Sequence, residues 1–479
     1  MTWMSFVVAI VLAFNRWVIY YFGLLNGVYL LLFLVSFFEV MRFVRRTFFS
    51  DYEQILKSEM TWPISIIVPA FNEARTIVET VRSLLTVNYG QFEVVVVNDG
   101  SNDGTLERLV ETFELKRTDR IYRRTLPTGP VRGIYASLDH PNLIVVDREW
   151  SGKAGALNTG INVSRYPLFC SVDADSIIEE NALLRVVKPF MEHPREMVAA
   201  GGIVRIVNGC EVREGRVVRI GLPKKWLPVF QVVEYLRAFL GGRIGWSSLR
   251  SLLIISGAFG LYRKADVIAV GGYDGSSETE DLELVLKLHE HLRKSGRRYR
   301  IVFVPDPVCW TEVPSTFRVL ARQRNRWHRG LLQSLWRHKR MMLNPEHGVI
   351  GMLALPYFLL FETLGPFVEI LGYLMVALSY FLGLLNVDFF ILFMVLAVFF
   401  GVFLSVAAVL LEEISFRRYP GWEHLALLVL AGVLENFGYR QVLALFKVKA
   451  FYDFLRRRKA WGRMDREGFR PAPAPPGAG

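Results

Sequence analysis

The apolar residues of this chain gather at its two ends, and that placement limits the fold more than any motif does. Trp17 to Val40 carries one charge, Glu39. It is long enough to cross a hydrocarbon core of about 30 Å at about 1.5 Å per helical residue. Trp3 to Phe14 is shorter and either lies at the interface or extends the same helix, so one span is expected. A cleavable signal peptide would need a positive start and a small-residue cleavage site, and neither is seen. After Pro345 the chain is apolar again. Gly365 to Leu385 and Phe389 to Leu411 read as spans separated by Asn386-Val387-Asp388, while Val349 to Phe361 is short and carries Pro356. Leu425 to Phe446 contains Glu435, Asn436 and Arg440, which are expensive in lipid and suggest an interfacial or protein-packed helix.

The expected division is therefore an N-terminal transmembrane region over 1–50 and a soluble domain with interfacial helices over 51–343. Transmembrane and interfacial helices follow over 344–446, then a basic tail over 447–479. The last stretch, Arg470 to Gly479, is rich in Pro, Ala and Gly and reads as disordered. A hydrophobic content of 52% excludes a wholly soluble protein. The net charge of +12 sits beside the apolar segments, at Arg42, Arg45 and Arg46, at Arg417 and Arg418, and from Lys447 to Arg470. Such placement retains a chain on the cytoplasmic side. The tail lacks the aromatic interleaving of single-strand binders, so nucleic acid is not an expected partner. Cys170, Cys210 and Cys309 are scattered with no C-x-x-C, as buried small hydrophobes are, which suits a reducing compartment.

The middle alternates short apolar runs with helical ones. Strands are expected at Ile64–Val68, Phe92–Val97, Leu143–Val146 and Tyr166–Val172, and helices at Ala74–Leu85 and Thr105–Phe113, with another opening at Gly152–Asn158. Alternation of this kind implies a parallel sheet with right-handed crossovers. Arg117 to Pro141 reads as an irregular basic insertion. Further on, strands are expected at Val198–Val207, Leu253–Leu261 and Arg300–Val304, and helices at Phe230–Leu240 and Asp281–Lys294. A long helix should start near Pro314-Ser315, with Ser315 as N-cap, and run towards Met342.

Five polar marks fall on strand ends and helix starts of this pattern. Asp99, in Val97-Asn98-Asp99-Gly100-Ser101, can accept a base-edge N–H of a nucleotide or simply make an Asp-Gly turn. Lys153 is a point charge beside a Gly-rich helix start, suited to a diphosphate or to solvent. Asp173 and Asp175 close a buried strand, where paired hard oxygen ligands suit Mg2+ or Mn2+ holding a diphosphate; a strand end turning into solvent looks the same. Glu278-Thr279-Glu280-Asp281 heads a helix, where the dipole favours acidic residues in any case. Gln323, Arg326 and Trp327 share a basic helix that could equally lie on a membrane surface.

In this order and at these separations, the marks resemble the membrane-embedded family 2 glycosyltransferases, the processive cellulose, hyaluronan and poly-N-acetylglucosamine synthases. The resemblance runs through Val68-Pro69-Ala70-Phe71-Asn72-Glu73, Asn98-Asp99-Gly100-Ser101, Gly152-Lys153-Ala154-Gly155-Ala156-Leu157-Asn158, Asp173-Ala174-Asp175, Thr279-Glu280-Asp281 and Gln323-Arg324-Asn325-Arg326-Trp327. It covers roughly Met60 to Leu343. Phe71 stands where tyrosine is usual, and no cyclic-dinucleotide-binding domain follows the last apolar helix, which argues against a dinucleotide-gated enzyme.

The resemblance implies an α/β, Rossmann-like GT-A catalytic domain in the cytosol, flanked by transmembrane and interfacial helices in a bacterial inner membrane. It implies inverting, Mg2+- or Mn2+-dependent transfer of a hexose from a UDP-sugar to a growing β-linked polysaccharide, coupled to export, with room for an accessory export subunit. By the same resemblance Pro69, Asn72, Glu73, Asp99, Lys153, Asp173 and Arg326 bind the nucleotide sugar, and Asp173 and Asp175 hold the metal. Thr279, Glu280 and Asp281 are catalytic, with Asp281 as general base, and Gln323 and Trp327 bind the acceptor. Glu362, Glu369, Glu435, Asn436 and Arg440 either line a sugar path through lipid or pair with one another. The alternatives are a glycolipid synthase on the same fold and, more remotely, a non-catalytic membrane scaffold.

Overall fold

The computed structural model of the protein describes residues 3–48, 61–457 and 468–469. It begins with one unbroken helix, α1 (Trp3–Phe48), so the short leading segment extends the span. The sheet-bearing region is built on β1 (Ile64–Ala70), α2 (Ile77–Leu85), β2 (Phe92–Asp99), α3 (Thr105–Thr112), β3 (Leu115–Thr118), β4 (Val131–Ser137) and β5 (Leu143–Arg148). It continues with α4 (Lys153–Val163), β6 (Leu168–Val172), β7 (Ser176–Ile178), α5 (Ala182–Glu192) and β8 (Met197–Ile206). After a small hairpin of β9 (Glu211–Arg213) and β10 (Arg216–Arg219) come α6 (Trp226–Leu236), β11 (Phe259–Arg263), α7 (Glu280–Lys294), β12 (Arg300–Thr311) and α8 (Phe317–Arg337).

Ten strands form one sheet in the order β3-β4-β5-β2-β1-β6-β11-β8-β12-β7. The pairs β1/β2, β1/β6, β2/β5 and β8/β12 are parallel, as expected for strands joined through helices. Elsewhere the sheet is antiparallel, which corrects the all-parallel expectation. The five residues between β4 and β5 are too few for a crossover, and β11 enters the sheet antiparallel to both β6 and β8. The expected irregular insertion over 117–141 is also corrected: it carries the end of β3 and all of β4. Exposed Lys116 and Arg117 on β3, at the sheet edge, and Arg132 on β4 beside it hid these strands from an apolar-run reading. Of the expected strand Leu253–Leu261, only the end pairs; residues 253–258 form a loop that reaches the cleft. The N-cap of α8 is Thr316, whose hydroxyl accepts from the Val319 N–H, and not Ser315.

Among the described residues two helices, Ser5–Arg46 within α1 and Val387–Ser415, are long and apolar enough to cross a membrane; Ile350–Thr363 and Gly365–Phe381 make a third only as one span bent by 41°. The bend falls at Gly365-Pro366, where proline cannot continue the ladder of the preceding turn. The single helix expected over 425–446 is two, Trp422–Leu434 and Tyr439–Leu455, broken at Gly438 with φ +109°. We label Gly365–Phe381, Val387–Ser415, Trp422–Leu434 and Tyr439–Leu455 α9 to α12. The polar residues weighed as a sugar path all have partners within the chain. Glu362 accepts from Tyr29 and Tyr357, Glu369 from Tyr373, Glu435 from Arg237 and Ser405, and Asn436 from Arg440.

Buried ion pairs fix the sheet to the helices outside it. Arg205 on β8 lies 2.7 Å from Glu412 on α10, both almost fully buried. Arg418, just past α10, binds Glu179 and Asp306 beside the β12/β7 edge. The described part of the tail touches the same domain, with Gly468 N donating to Glu312 at 3.1 Å. Arg470 to Gly479, expected to be disordered, lies outside the described residues.

Candidate active site

In the strand order, β1 has β2 on one side and β6 on the other, so the chain winds in opposite directions from it. At such a switch point the crossover helices part and leave a crevice beyond the carboxyl ends of the strands. Pro69, paired with Val97, ends β1 beside that crevice. Asn72 follows at φ +57°, a left-handed conformation that asparagine tolerates. Its N–H donates to Ser101 Oγ and its side-chain oxygen accepts from Asn102 N, while Glu73 N donates to Thr105 Oγ1. The first motif is thus fastened to the loop after β2.

Asp99 ends β2 and is 2% exposed. Its carboxylate accepts from Ser151 N at 3.1 Å, Ser151 Oγ at 3.1 Å and Gly152 N at 2.8 Å, with Arg148 Nε 3.3 Å away. Burial pushes this carboxyl above its ordinary value, opposed by those donors. In this state Asp99 holds the turn at Gly152, φ +81°, that starts α4.

The turn delivers Lys153 to the centre of the site. Lys153 Nζ lies 2.6 Å from Asp173 Oδ1 and 3.2 Å from Glu280 Oε1, joining the two acidic motifs. Burial disfavours its charge, but Asp173 and then Glu280 outweigh that and raise it above the ordinary lysine value. Thr80 on α2 donates to the Ala174 carbonyl at 2.9 Å and so sets the turn between Asp173 and Asp175. Asp175 is 2% exposed, with Ser176 Oγ 3.5 Å from it.

Asp281, one residue beyond Glu280, accepts from Gly257 N at 3.0 Å and from its neighbour Leu282 N at 2.8 Å. Burial and the charge of Glu280 raise its pKa, and Lys153 pulls it back. Gly257 separates Asp281 and Lys153: a β-carbon there would sit 2.9 Å from Lys153 Nζ and 3.5 Å from Asp281 Oδ2. Thr279 and Glu278 rest on α8, where Arg329 binds Glu278 at 3.1 Å. Arg243 contributes a half-buried cation. Its guanidinium stacks over Phe239 at 4.2 Å, and burial lowers its pKa to about 10 against the pull of Asp281.

On α8, Gln323 is 6% exposed and Trp327 half-buried. Arg324 stacks over Trp327 at 4.4 Å and binds Glu234 at 3.0 Å, which in turn accepts from Tyr439 at 2.8 Å. Arg326 is partly buried on the same helix. The structure therefore brings Lys153, Asp173, Glu280 and Asp281 together. Asp99, at the end of β2, is engaged by Ser151 and Gly152 instead, and Gln323 and Trp327 lie on α8. Sequence reasoning missed Thr80, Arg243, Gly257, Arg329 and Gly330. Only Gly330 carries a local signal, a glycine inside a long helix.

Among the described residues no group of three or more His, Cys, Asp or Glu could hold a metal by itself. The donor set is instead two carboxylates at one strand end beside a lysine. That set fits a hydrated divalent cation taking its other ligands from a diphosphate and water.

Among proteins of known family, a model described as glycosyl transferase family 2 matches residues 65–252, and one described as glycosyl transferase family group 2 matches residues 168–411. A poly-beta-1,6-N-acetyl-D-glucosamine synthase of Staphylococcus aureus is 31% identical over 270 residues, 56% of this chain and 54% of that one. That of Staphylococcus epidermidis is 29% identical over 278 residues, 57% and 56% of the two chains. The chain thus spans about half the length of the curated relatives it matches. A solved mannosyltransferase of Pyrobaculum calidifontis, in complex with GDP-Man and Mn2+, aligns with a TM-score of 0.49 at 18% identity, covering 91% of this chain and all of that one. Since the second family model takes in over half of its residues, the chain belongs to glycosyl transferase family group 2 and is a family 2 glycosyltransferase with a GT-A-like core.

Proposed function

We propose that this glycosyltransferase moves a hexose from a UDP-sugar to a growing β-linked polysaccharide, with inversion at the anomeric carbon. The observation that carries the reading is the Lys153 bridge between Asp173 and Glu280, which puts a diphosphate-binding charge, a metal-binding carboxylate and the base-bearing helix in one crevice. Asp173 and Asp175 would hold Mg2+ or Mn2+, and the cation when bound neutralises charge on the leaving diphosphate. Lys153 and Arg326 add positive charge to the same group. Asp99, with Pro69, Asn72 and Glu73, forms the nucleoside side of the crevice.

Asp281 takes the acceptor hydroxyl proton as the new bond forms to the anomeric carbon. The old bond to the phosphate oxygen breaks from the opposite face, and its electron pair leaves on UDP. Burial beside Glu280 suits Asp281 to that role by raising its proton affinity. Gln323 and Trp327 offer an amide and a flat apolar face to the acceptor sugar.

Similarity to poly-beta-1,6-N-acetyl-D-glucosamine synthases makes N-acetylglucosamine the first sugar to test. The apolar helices and flanking arginines support a multi-pass protein of a bacterial inner membrane, with the catalytic domain cytosolic and the product exported. The test is UDP release by purified enzyme in lipid over a panel of UDP-sugars with Mg2+ or Mn2+, followed by sizing of radiolabelled product. A long polymer made from one sugar supports the proposal. Label that partitions into organic solvent as a short glycolipid contradicts the polymer.

A further inference from the structure

We propose that Arg329 is a positioning residue for the general base, and that it ties Glu278, in the loop leading to Asp281, to the C-terminal helix α12 through a continuous line of side chains. The inference rests on the base role assigned to Asp281 above. Arg329 is 4% exposed and lies on α8, two residues beyond the Gln323 to Trp327 motif. Its Nη1 sits 3.1 Å from Glu278 Oε1, three residues before Asp281. The same loop is gripped a second time, as Glu278 N donates to Gln333 Oε1 at 3.0 Å. On the other side of the guanidinium, Arg329 Nε donates to Asn325 Oδ1 at 2.8 Å. Asn325 Nδ2 in turn donates to Asp453 Oδ2 at 2.9 Å, two residues from the end of α12.

The line therefore runs Glu278, Arg329, Asn325, Asp453, from the loop before the base, across the acceptor-side helix, to a helix that follows the apolar segments. A guanidinium is suited to the centre of such a line, because its planar fork fixes two partners in set directions where an ammonium cannot. Glu278, Arg329 and Asp453 are at least nine-tenths buried at the side chain or residue level. Removing one partner would weaken the compensation of a charge held away from water. Near-attack geometry is sensitive to such a shift, since a displacement of about 1 Å can cost about 100-fold in rate. A movement of α12 would reach the base by this route without touching the donor.

The experiment uses the full-length enzyme in lipid with UDP-N-acetylglucosamine, or with whichever UDP-sugar supports UDP release. It compares Asn325→Ala, Glu278→Gln, the double variant and Asp281→Asn. The line predicts that each of the first two lowers kcat about ten-fold, leaves donor KM within about two-fold, and that the double falls no further than the worse single. Losses that multiply in the double, a rise in donor KM matching the fall in kcat, or single variants at wild-type kcat overturn it. Asp453→Asn, which keeps the shape of α12 and weakens only a charge-assisted bond, should show a smaller fall in kcat alone and serves where Asn325→Ala does not accumulate. Asp281→Asn separates the two claims. If it retains transfer, the base assignment fails; if it is dead while Asn325→Ala and Glu278→Gln are normal, only the positioning line fails.

Discussion

Gly330 on α8 lies directly against Thr279, the N-cap of α7: a β-carbon at Gly330 would come within 2.5 Å of Thr279 Cγ2 and 2.8 Å of Thr279 Cβ. Atoms do not approach so closely, so either α8 or the start of α7 would have to move. α8 and the start of α7 thus share one tightly packed face.

Gly330→Ala tests that contact. In a free helix the change would be favourable by about 1 kcal/mol. Here overpacking should cost about 1–3 kcal/mol and displace Thr279, lowering kcat by about ten-fold or more with little change in donor KM. Steady-state kinetics beside a thermal melt check this; a more stable variant with full kcat would show that the start of α7 does not depend on the contact.

Asp175→Ala should remove the metal requirement together with activity, by about 100-fold or more, because the diphosphate loses its counter-charge. Mn2+ titration of UDP release reads the effect. Unchanged Mn2+-dependent turnover in the variant would take Asp175 out of the metal site.

A pH dependence is expected where α7 meets the end of α8. His338 has Nδ1 2.8 Å from Glu290 and Nε2 3.0 Å from Glu283, while Arg337 also binds Glu283 and Lys294 binds Glu290. Burial disfavours the charged ring, but Glu283 and then Glu290 outweigh it and raise the pKa above 6.5. A raised folded-state pKa stabilises the fold fully below the unfolded value, and the contribution is lost as pH rises through the folded value. The melting temperature should therefore drift down as pH rises from 6.5, by roughly 1 °C for each kcal/mol lost. His338→Gln should flatten that slope. A slope that persists in the variant would place its origin elsewhere.

The parts of the fold legible in the sequence are those whose burial is complete on both faces. β1, β2, β5 and β6 are continuous apolar runs because helices cover both sides of the sheet there, so a run of valines and isoleucines marks them. β3 and β4 were not legible, since an edge hairpin studded with Lys116, Arg117 and Arg132 has no such run. Composition located the membrane-type helices, but the bend at Gly365 and the break at Gly438 depend on packing and local backbone.

The site shows the same division. Asp99, Lys153, Asp173 and Asp281 could be picked out as residues suited to the chemistry at strand ends and helix starts. That Lys153 faces Asp173 and Glu280 at once is a consequence of three elements meeting, and no spacing in the chain records it. Gly257 and Arg329 were missed for that reason: what each is for lies on another element.

The most direct test of the central claim is transfer by Asp281→Asn measured beside its affinity for UDP. The substitution keeps the shape and the hydrogen bond from Gly257 while removing the proton acceptor, so transfer should fall by at least about 100-fold with UDP binding within about two-fold of the native enzyme. Substantial residual transfer at unchanged UDP affinity would contradict the base assignment and leave the crevice without its proposed catalyst.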